Sequence, residues 1–289
     1  MRVKSLGYCT AQWLSNRLPS GCAFSLAERL ADCRWRSSSV DRRTVQQNLA
    51  MLAGSTVSVG DARVREVFRN FGRYLVEFFA MHRVERPQVE VEGREHLSDA
   101  RLHGRGAILL TAHVGNWEVA AVAIRRMGFP VAAVALAHDD LVMDRLFNAQ
   151  RERCGIRVIP LGREAARRSL QSLRDGTLLG LLGDREFGDK GLTLSMFGGR
   201  VSLPRGPATL SVRAAVPLVP TFLIREGRWR FRLCLEPPIW PPAHGDHERA
   251  VHELTRSYAE ILQRYLRRVP EQWLMFQPFA SPCAVGTAS

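Results

Sequence analysis

The chain has 289 residues, 46% of them hydrophobic and 24% charged, a balance that supports a sizeable folded core and excludes a disordered or fibrous protein. Its 41 Lys and Arg against 28 Asp and Glu leave a net charge of +13 at pH 7, carried almost wholly by arginine because Lys4 and Lys190 are the only lysines. Guanidinium groups match phosphate oxygens in pairs, so the expected partners are anionic: lipid headgroups, phosphopantetheine-bearing carriers or nucleic acid.

Other features narrow the setting. Cys9, Cys22, Cys33, Cys154, Cys234 and Cys283 form no C-x-x-C pair and have no histidine at zinc-site spacing, so they read as reduced packing residues and no metal is expected. No run approaches the roughly 20 apolar residues of a membrane span. Leu14, Leu18, Phe24, Leu26 and Leu30 are interrupted by Asn16, Arg17, Pro19, Glu28 and Arg29, which is also unlike a signal peptide. Membrane contact is therefore expected to be peripheral. The arginines are spread widely without interleaved aromatics, so a nucleic-acid partner is not expected.

Residues 1–55 read as a helical, basic lead-in, with Arg34, Arg36, Arg42 and Arg43 close together. Past Asp61, the residues Val64, Val67, Phe68, Phe71, Leu75, Phe78 and Phe79 recur at helical spacing while Arg63, Arg69 and Arg73 fall elsewhere on the wheel, giving an amphipathic helix packed into the core. Strands are then predicted at 107–110, 131–137, 157–159, 177–182 and 216–224, with helices at 118–127, 141–153 and 164–174. Trp229, Phe231, Leu233 and Leu235 alternate with Arg230, Arg232 and Cys234 as in a half-exposed edge strand. A long helix is expected over 247–268, and a loose tail at 281–289. Strand and helix alternation predicts an α/β fold: one domain with a mainly parallel central sheet flanked by helices, residues 1–55 joining residues 56–280. Ligands are then received at the carboxyl ends of the strands.

His113 follows directly on the strand ending near Thr111, and Gly115 and Asn116 precede a helix beginning near Trp117. On a continuous helix His113 and Glu118 would lie roughly 140° apart at about 100° per residue. The Gly115-Asn116 turn brings them within reach, with Glu118 in the first helical turn. A histidine near neutral pKa that takes the proton of an alcohol, with a carboxylate fixing its tautomer, suits acyl transfer without a protein nucleophile. His113 is thus the candidate general base and Glu118 its orienting partner, while His138, beside Asp139 and Asp140, is a second candidate. A thiolate mechanism through Cys154 lacks a neighbouring histidine.

The segment Thr111-Ala112-His113-Val114-Gly115-Asn116-Trp117-Glu118 resembles the first motif of the bacterial lipid A biosynthesis (late) acyltransferases, within the lysophospholipid acyltransferase superfamily. Gly183-Asp184-Arg185-Glu186-Phe187-Gly188, leading to Met196-Phe197-Gly198-Gly199, is similar to that family's acidic motif and following turn. Pro204-Arg205-Gly206-Pro207-Ala208, running on to Ala214-Ala215-Val216-Pro217, resembles its substrate loop, and Pro270-Glu271-Gln272-Trp273-Leu274-Met275-Phe276 its terminal signature. The likeness runs in order over residues 45–280.

The resemblance implies transfer of a fatty acyl chain from an acyl carrier protein or CoA thioester to a hydroxyl of a lipid acceptor. That acceptor is a lipid A precursor or related glycolipid, or else a lysophospholipid or pathway-specific lipid. No cofactor beyond the acyl donor is implied, and the expected place is the cytoplasmic face of the inner membrane. Arg151, Asp184, Arg185 and Asn116 make up the expected substrate-binding set, with Asp184 and Arg185 orienting Arg151 or holding an anionic headgroup. Val119, Val122, Leu146, Phe147 and Phe197 are candidate walls for the acyl chain. Family members acting on lipid A usually carry an N-terminal spanning helix, which the basic, broken leading segment does not match. His138-Asp139-Asp140 stands where the family often has arginine and asparagine, which implies a different acceptor pocket.

Overall fold

The computed structural model describes residues 3–83, 87–101, 104–186, 188 and 190–280. The predicted tail 281–289 with Cys283, and Phe187 of the acidic motif, lie outside the described residues. The leading layer is helical: α1 (Val3–Arg17), α2 (Ser20–Ser37) and α3 (Ser39–Ala53) precede α4 (Ala62–Ala80). Polar side chains set these boundaries. Ser38 accepts the Asp41 amide at the start of α3, Gly54 ends α3 at φ 62°, and Asp61 accepts the Arg63 amide to open α4.

The apolar stripe of α4 is buried through Val64, Val67, Phe68, Phe78 and Phe79. Its arginines turn towards α2: Arg65 and Arg69 both bind Asp32, and Arg73 binds Glu28 and Glu66. Part of the basic excess is therefore spent inside the protein, joining α4 to α2. At Gly72 the two helices touch closely, since a Cβ there would sit 2.9 Å from the Ala27 carbonyl oxygen.

The rest of the chain alternates strands and helices. In order these are β1 (Gln88–Glu92), α5 (Glu95–Asp99), β2 (Ile108–Thr111), α6 (Trp117–Arg126), β3 (Val131–Ala135), α7 (Leu141–Arg153), β4 (Arg157–Pro160), α8 (Ala165–Arg174) and β5 (Leu178–Leu182). They are followed by the hairpin β6 (Leu192–Met196) and β7 (Gly199–Leu203), then α9 (Gly206–Ala214), β8 (Leu218–Gly227), β9 (Arg230–Leu235), α10 (His247–Arg268) and a 3-10 turn, Pro270–Gln272. Among the described residues the main sheet has seven strands in the order β1-β9-β8-β2-β5-β3-β4, all parallel to their neighbours except β8 and β9. One contiguous core unites the sheet with the leading helices.

Two expectations about strands change. The segment read as an edge strand, β9, lies inside the sheet between β8 and β1, with Phe231, Leu233 and Leu235 buried. The alternation with Arg230 and Arg232 misleads because Arg232 is satisfied by Glu90 and Glu92 of β1 and by Glu226. Strand β1, whose own alternation carries those acids, is the edge on that side of the sheet. The β6-β7 hairpin also goes beyond the expected turn at Phe197-Gly198, which sit at φ 50° and 76° as its tight reversal.

The site depends on the register of the two middle strands. β2 and β5 pair with Thr111 opposite Leu182, so both strands stop at the same level. Two residues past each end stand His113 and Asp184, projected side by side from the carboxyl edge of a parallel sheet. Tyr258 of α10, buried, donates its hydroxyl to the Thr111 carbonyl, and Gly183 leaves the room that ring needs: a Cβ there would lie 2.7 Å from it.

Candidate active site

His113 is held at three points. Its Nδ1–H faces Asp184 Oδ1 at 2.9 Å, its amide donates to Asp184 Oδ2 at 2.9 Å, and its carbonyl accepts the Leu274 amide at 2.7 Å. The Trp273 indole donates to Asp184 Oδ2 at 2.9 Å, so the buried carboxylate receives three donors. Burial works to raise the Asp184 pKa, but the charge of His113 and these hydrogen bonds outweigh it and hold the carboxyl below its ordinary value. The ionised carboxylate fixes the proton on Nδ1 and leaves Nε2 for the cavity that His113 lines. The Trp117 ring stands edge-on to the imidazole, 4.9 Å between centroids.

Glu118 does not orient His113. Its carboxylate is bound by Arg151, with Nη2 at 2.7 Å from Oε1 and Nε at 3.1 Å from Oε2. Burial would lower the Arg151 pKa, yet the charge and hydrogen bonds of Glu118 more than compensate and raise it, keeping the guanidinium firmly charged. Asn148 accepts from Arg151 Nη1 one turn earlier on α7. The correction follows from the helix start: α6 begins at Trp117, so Glu118 leaves its first turn towards α7, and the carboxylate reaching Nδ1 comes from the neighbouring parallel strand. For the same reason Asp184 does not orient Arg151 as expected.

Asn116, expected to touch substrate, is fully buried. Its side-chain oxygen accepts the Val119 amide at 3.2 Å as the α6 cap, and its Nδ2 donates to Glu77 at 2.8 Å. His113, Glu118, Arg151 and Arg185 line one cavity of about 580 Å³, and Asp184 lies behind His113. Of the candidate acyl walls only Phe147 lines this cavity; Val119 and Val122 belong to the core. The apolar lining is instead supplied by Leu109, Ile124, Val131, Val134 and Leu181. Arg185, Lys190 and Arg205 also border it, Arg205 being paired with Glu248.

His138 packs against Phe147 and borders both this cavity and a second, apolar groove of about 700 Å³ between α1, α2 and α4. Burial and the neighbouring Arg151 lower its pKa against the opposing pull of Asp144 and Asp139, favouring the neutral ring. Cys154 caps α7 away from the cavity lining, and burial raises its thiol pKa. Trp273 entered the sequence reading only as part of a motif; its hydrogen bond across 89 positions to Asp184 has no local signature. The signal for Asp184 itself was present, as an acid just past the apolar run Leu178–Leu182, at the carboxyl end of a predicted strand; that this strand pairs with the one leading to His113 is visible only in the structure.

Comparison with known proteins now decides the family. The profile of the bacterial lipid A biosynthesis acyltransferases matches residues 5–279. The chain belongs to that family. It is 27% identical over 286 residues to the phosphatidylinositol mannoside acyltransferase of Mycolicibacterium smegmatis, covering 96% of this chain and 91% of that one. The corresponding Mycobacterium tuberculosis protein (strain CDC 1551 / Oshkosh) is 30% identical over 247 residues, 81% of this chain and 75% of its own. A lipid A biosynthesis palmitoleoyltransferase of Escherichia coli is 25% identical over 236 residues, 78% and 74% of the two chains. Among solved structures, the 1-acyl-sn-glycerophosphate acyltransferase PlsC of Thermotoga maritima matches 82% of this chain and 97% of that chain, with 15% identity and a TM-score of 0.38. Among the described residues of this family member, no helix is long and apolar enough to cross a membrane.

Proposed function

We propose that this acyltransferase moves a fatty acyl chain from a thioester to a hydroxyl of an anionic glycolipid, with His113 as general base and Asp184 as the carboxylate that orients it. The observation carrying the reading is the His113–Asp184 pair, which commits Nδ1 to a buried acid while the ring borders an apolar cavity. Nε2 takes the acceptor proton as the oxygen attacks the thioester carbonyl; the tetrahedral adduct collapses, the C–S bond breaks, and the imidazolium returns its proton to the departing thiolate. No protein nucleophile is needed. The Glu118–Arg151 pair forms an adjoining polar wall, and Arg185, Lys190 and Arg205 supply positive charge for a phosphate of donor or acceptor.

The relatives named for phosphatidylinositol mannoside align over more of this chain than the lipid A enzyme does, which supports a mannosylated phosphoinositide over a lipid A precursor. Either acyl carrier protein or CoA fits the positive cavity border as the thiol carrier. The groove between the leading helices, bordered by the exposed Leu30 and by Arg34, supports attachment to an anionic bilayer surface. The test is incubation of the protein with acyl-CoA or acyl carrier protein and each of the two glycolipids, read by mass spectrometry and thiol release. Gain of one acyl chain on the phosphoinositide supports the reading. Acylation of the lipid A precursor alone would replace the acceptor, and equal turnover by His113→Ala would remove the mechanism.

A further inference from the structure

The turn that carries His113 into α6 rests on a buried charge pair remote from the reacting atoms. Glu77 of α4 has no exposed side-chain surface, and Arg225 of β8 is 6% exposed. They form a two-bonded pair, Nε to Oε1 at 2.6 Å and Nη2 to Oε2 at 2.7 Å. Glu77 Oε2 also accepts Asn116 Nδ2 at 2.8 Å, and Asn70 Oδ1 accepts Arg225 Nη1 at 2.9 Å. The backbone around Arg225 continues the clamp: its amide donates to Gln272 Oε1, its carbonyl accepts Gln272 Nε2, and the Gln272 carbonyl accepts the Gly115 amide at 2.9 Å. Gly115 itself, at φ 62°, leaves no room for a side chain, because a Cβ would stand 1.7 Å from the Leu223 carbonyl oxygen.

An apolar pair of similar volume commonly matches or exceeds a buried ion pair in stability. What an apolar pair cannot do is fix the direction of a neighbouring amide. Asn116 needs its oxygen on the Val119 amide and its nitrogen elsewhere, and Glu77 is the acceptor that settles this orientation. Arg225 in turn locks the Glu77 carboxylate by two hydrogen bonds. The position of Asn116 determines where the backbone leaves His113 and at what angle α6 carries Glu118.

We infer that Glu77, Arg225 and Asn116 act together as positioning residues, setting the aim of His113 into the cavity rather than the stability of the core. The inference rests on His113 as the general base, so its test needs one readout independent of turnover. Asn116→Ser keeps a capping oxygen for α6 but loses the reach to Glu77, and leaves the ion pair intact for folding. Glu77→Leu with Arg225→Met removes the pair without stranding a charge; Glu77→Gln with Arg225→Met restores an acceptor for Asn116.

For Asn116→Ser and the Leu/Met double variant, the expected result is a kcat at least tenfold lower with KM for the thioester and lipid within about twofold. The Gln/Met variant recovers most of that loss. In the NMR spectrum, the downfield Nδ1–H signal of His113, identified by its absence in His113→Ala, shifts or broadens in the two impaired variants and returns in the third. Wild-type kcat together with an unmoved signal in Asn116→Ser, or equal losses in the Leu/Met and Gln/Met variants, would overturn the inference. If the wild-type protein transferred no acyl chain, the functional reading would fail, while the signal comparison would still decide whether the clamp aims His113.

Discussion

Two carboxylates stand beside the same cavity, and their surroundings assign them different work. Asp184 lies at a strand end, receives three donors and faces a group that can exchange a proton. Glu118 lies in a helix's first turn and faces a guanidinium that stays charged at any working pH. The first pair regulates where a proton sits; the second presents a fixed, nearly neutral polar surface. A histidine and an acid five residues apart share a strand-to-helix turn without pairing, and the tertiary neighbour decides which acid meets the imidazole.

The sharpest division between the pairs comes from removing their reactive members. His113→Ala is expected to lower kcat by about 10²- to 10⁴-fold with the fold intact, measured by thiol release. Asp184→Asn should approach the same loss, because an amide no longer enforces the proton on Nδ1. It also carries a pH signature. The Asp184 pKa is lower in the folded protein than in the unfolded chain, so its stabilising contribution is complete above the ordinary aspartate value near 3.9 and is lost as pH falls through the lower folded value. The stability difference between wild type and Asp184→Asn, from chemical denaturation, should therefore shrink on acidification below about pH 4.

Glu118→Gln should show the opposite balance. It leaves the buried Arg151 without its counter-charge, so a stability loss of about 3–5 kcal/mol is expected. The remaining folded enzyme keeps its His113 tautomer and shows mainly a raised KM. A kcat loss equal to that of Asp184→Asn with unaltered stability would erase the distinction between the two carboxylates. Cys154→Ser, at a half-buried position outside the cavity lining, should change turnover by less than about twofold; a large loss would bring a thiol into the chemistry.

What was legible in the sequence followed from local physics. Helices α7 and α10 begin where their spacing predicts because Asp140 and Asp246 accept the amides of their first turns. The central strands stand out as unbroken apolar runs because both their faces are covered. Strand β1 was missed because Glu90 and Glu92 make it look like solvent-exposed chain, although they answer Arg232 of β9. At the site, His113 is visible from its turn, and Arg151 and Asp184 from motif resemblance. Their pairing is not, since Glu118 meets Arg151 across 33 positions and His113 meets Asp184 across 71. The Asn116 assignment failed for a related reason: an amide beside a glycine suits a ligand contact or a helix cap equally well, and only Glu77, 39 positions away, chooses between them.

The bond from Trp273 to Asp184 and the Leu274 amide on the His113 carbonyl have a consequence for the order of biosynthesis. During translation the strands bearing His113 and Asp184 emerge long before residues 272–274, so the nascent chain holds an unfinished site until that segment docks. The imidazole and its carboxylate are fully held only once residues 272–274 have closed over them.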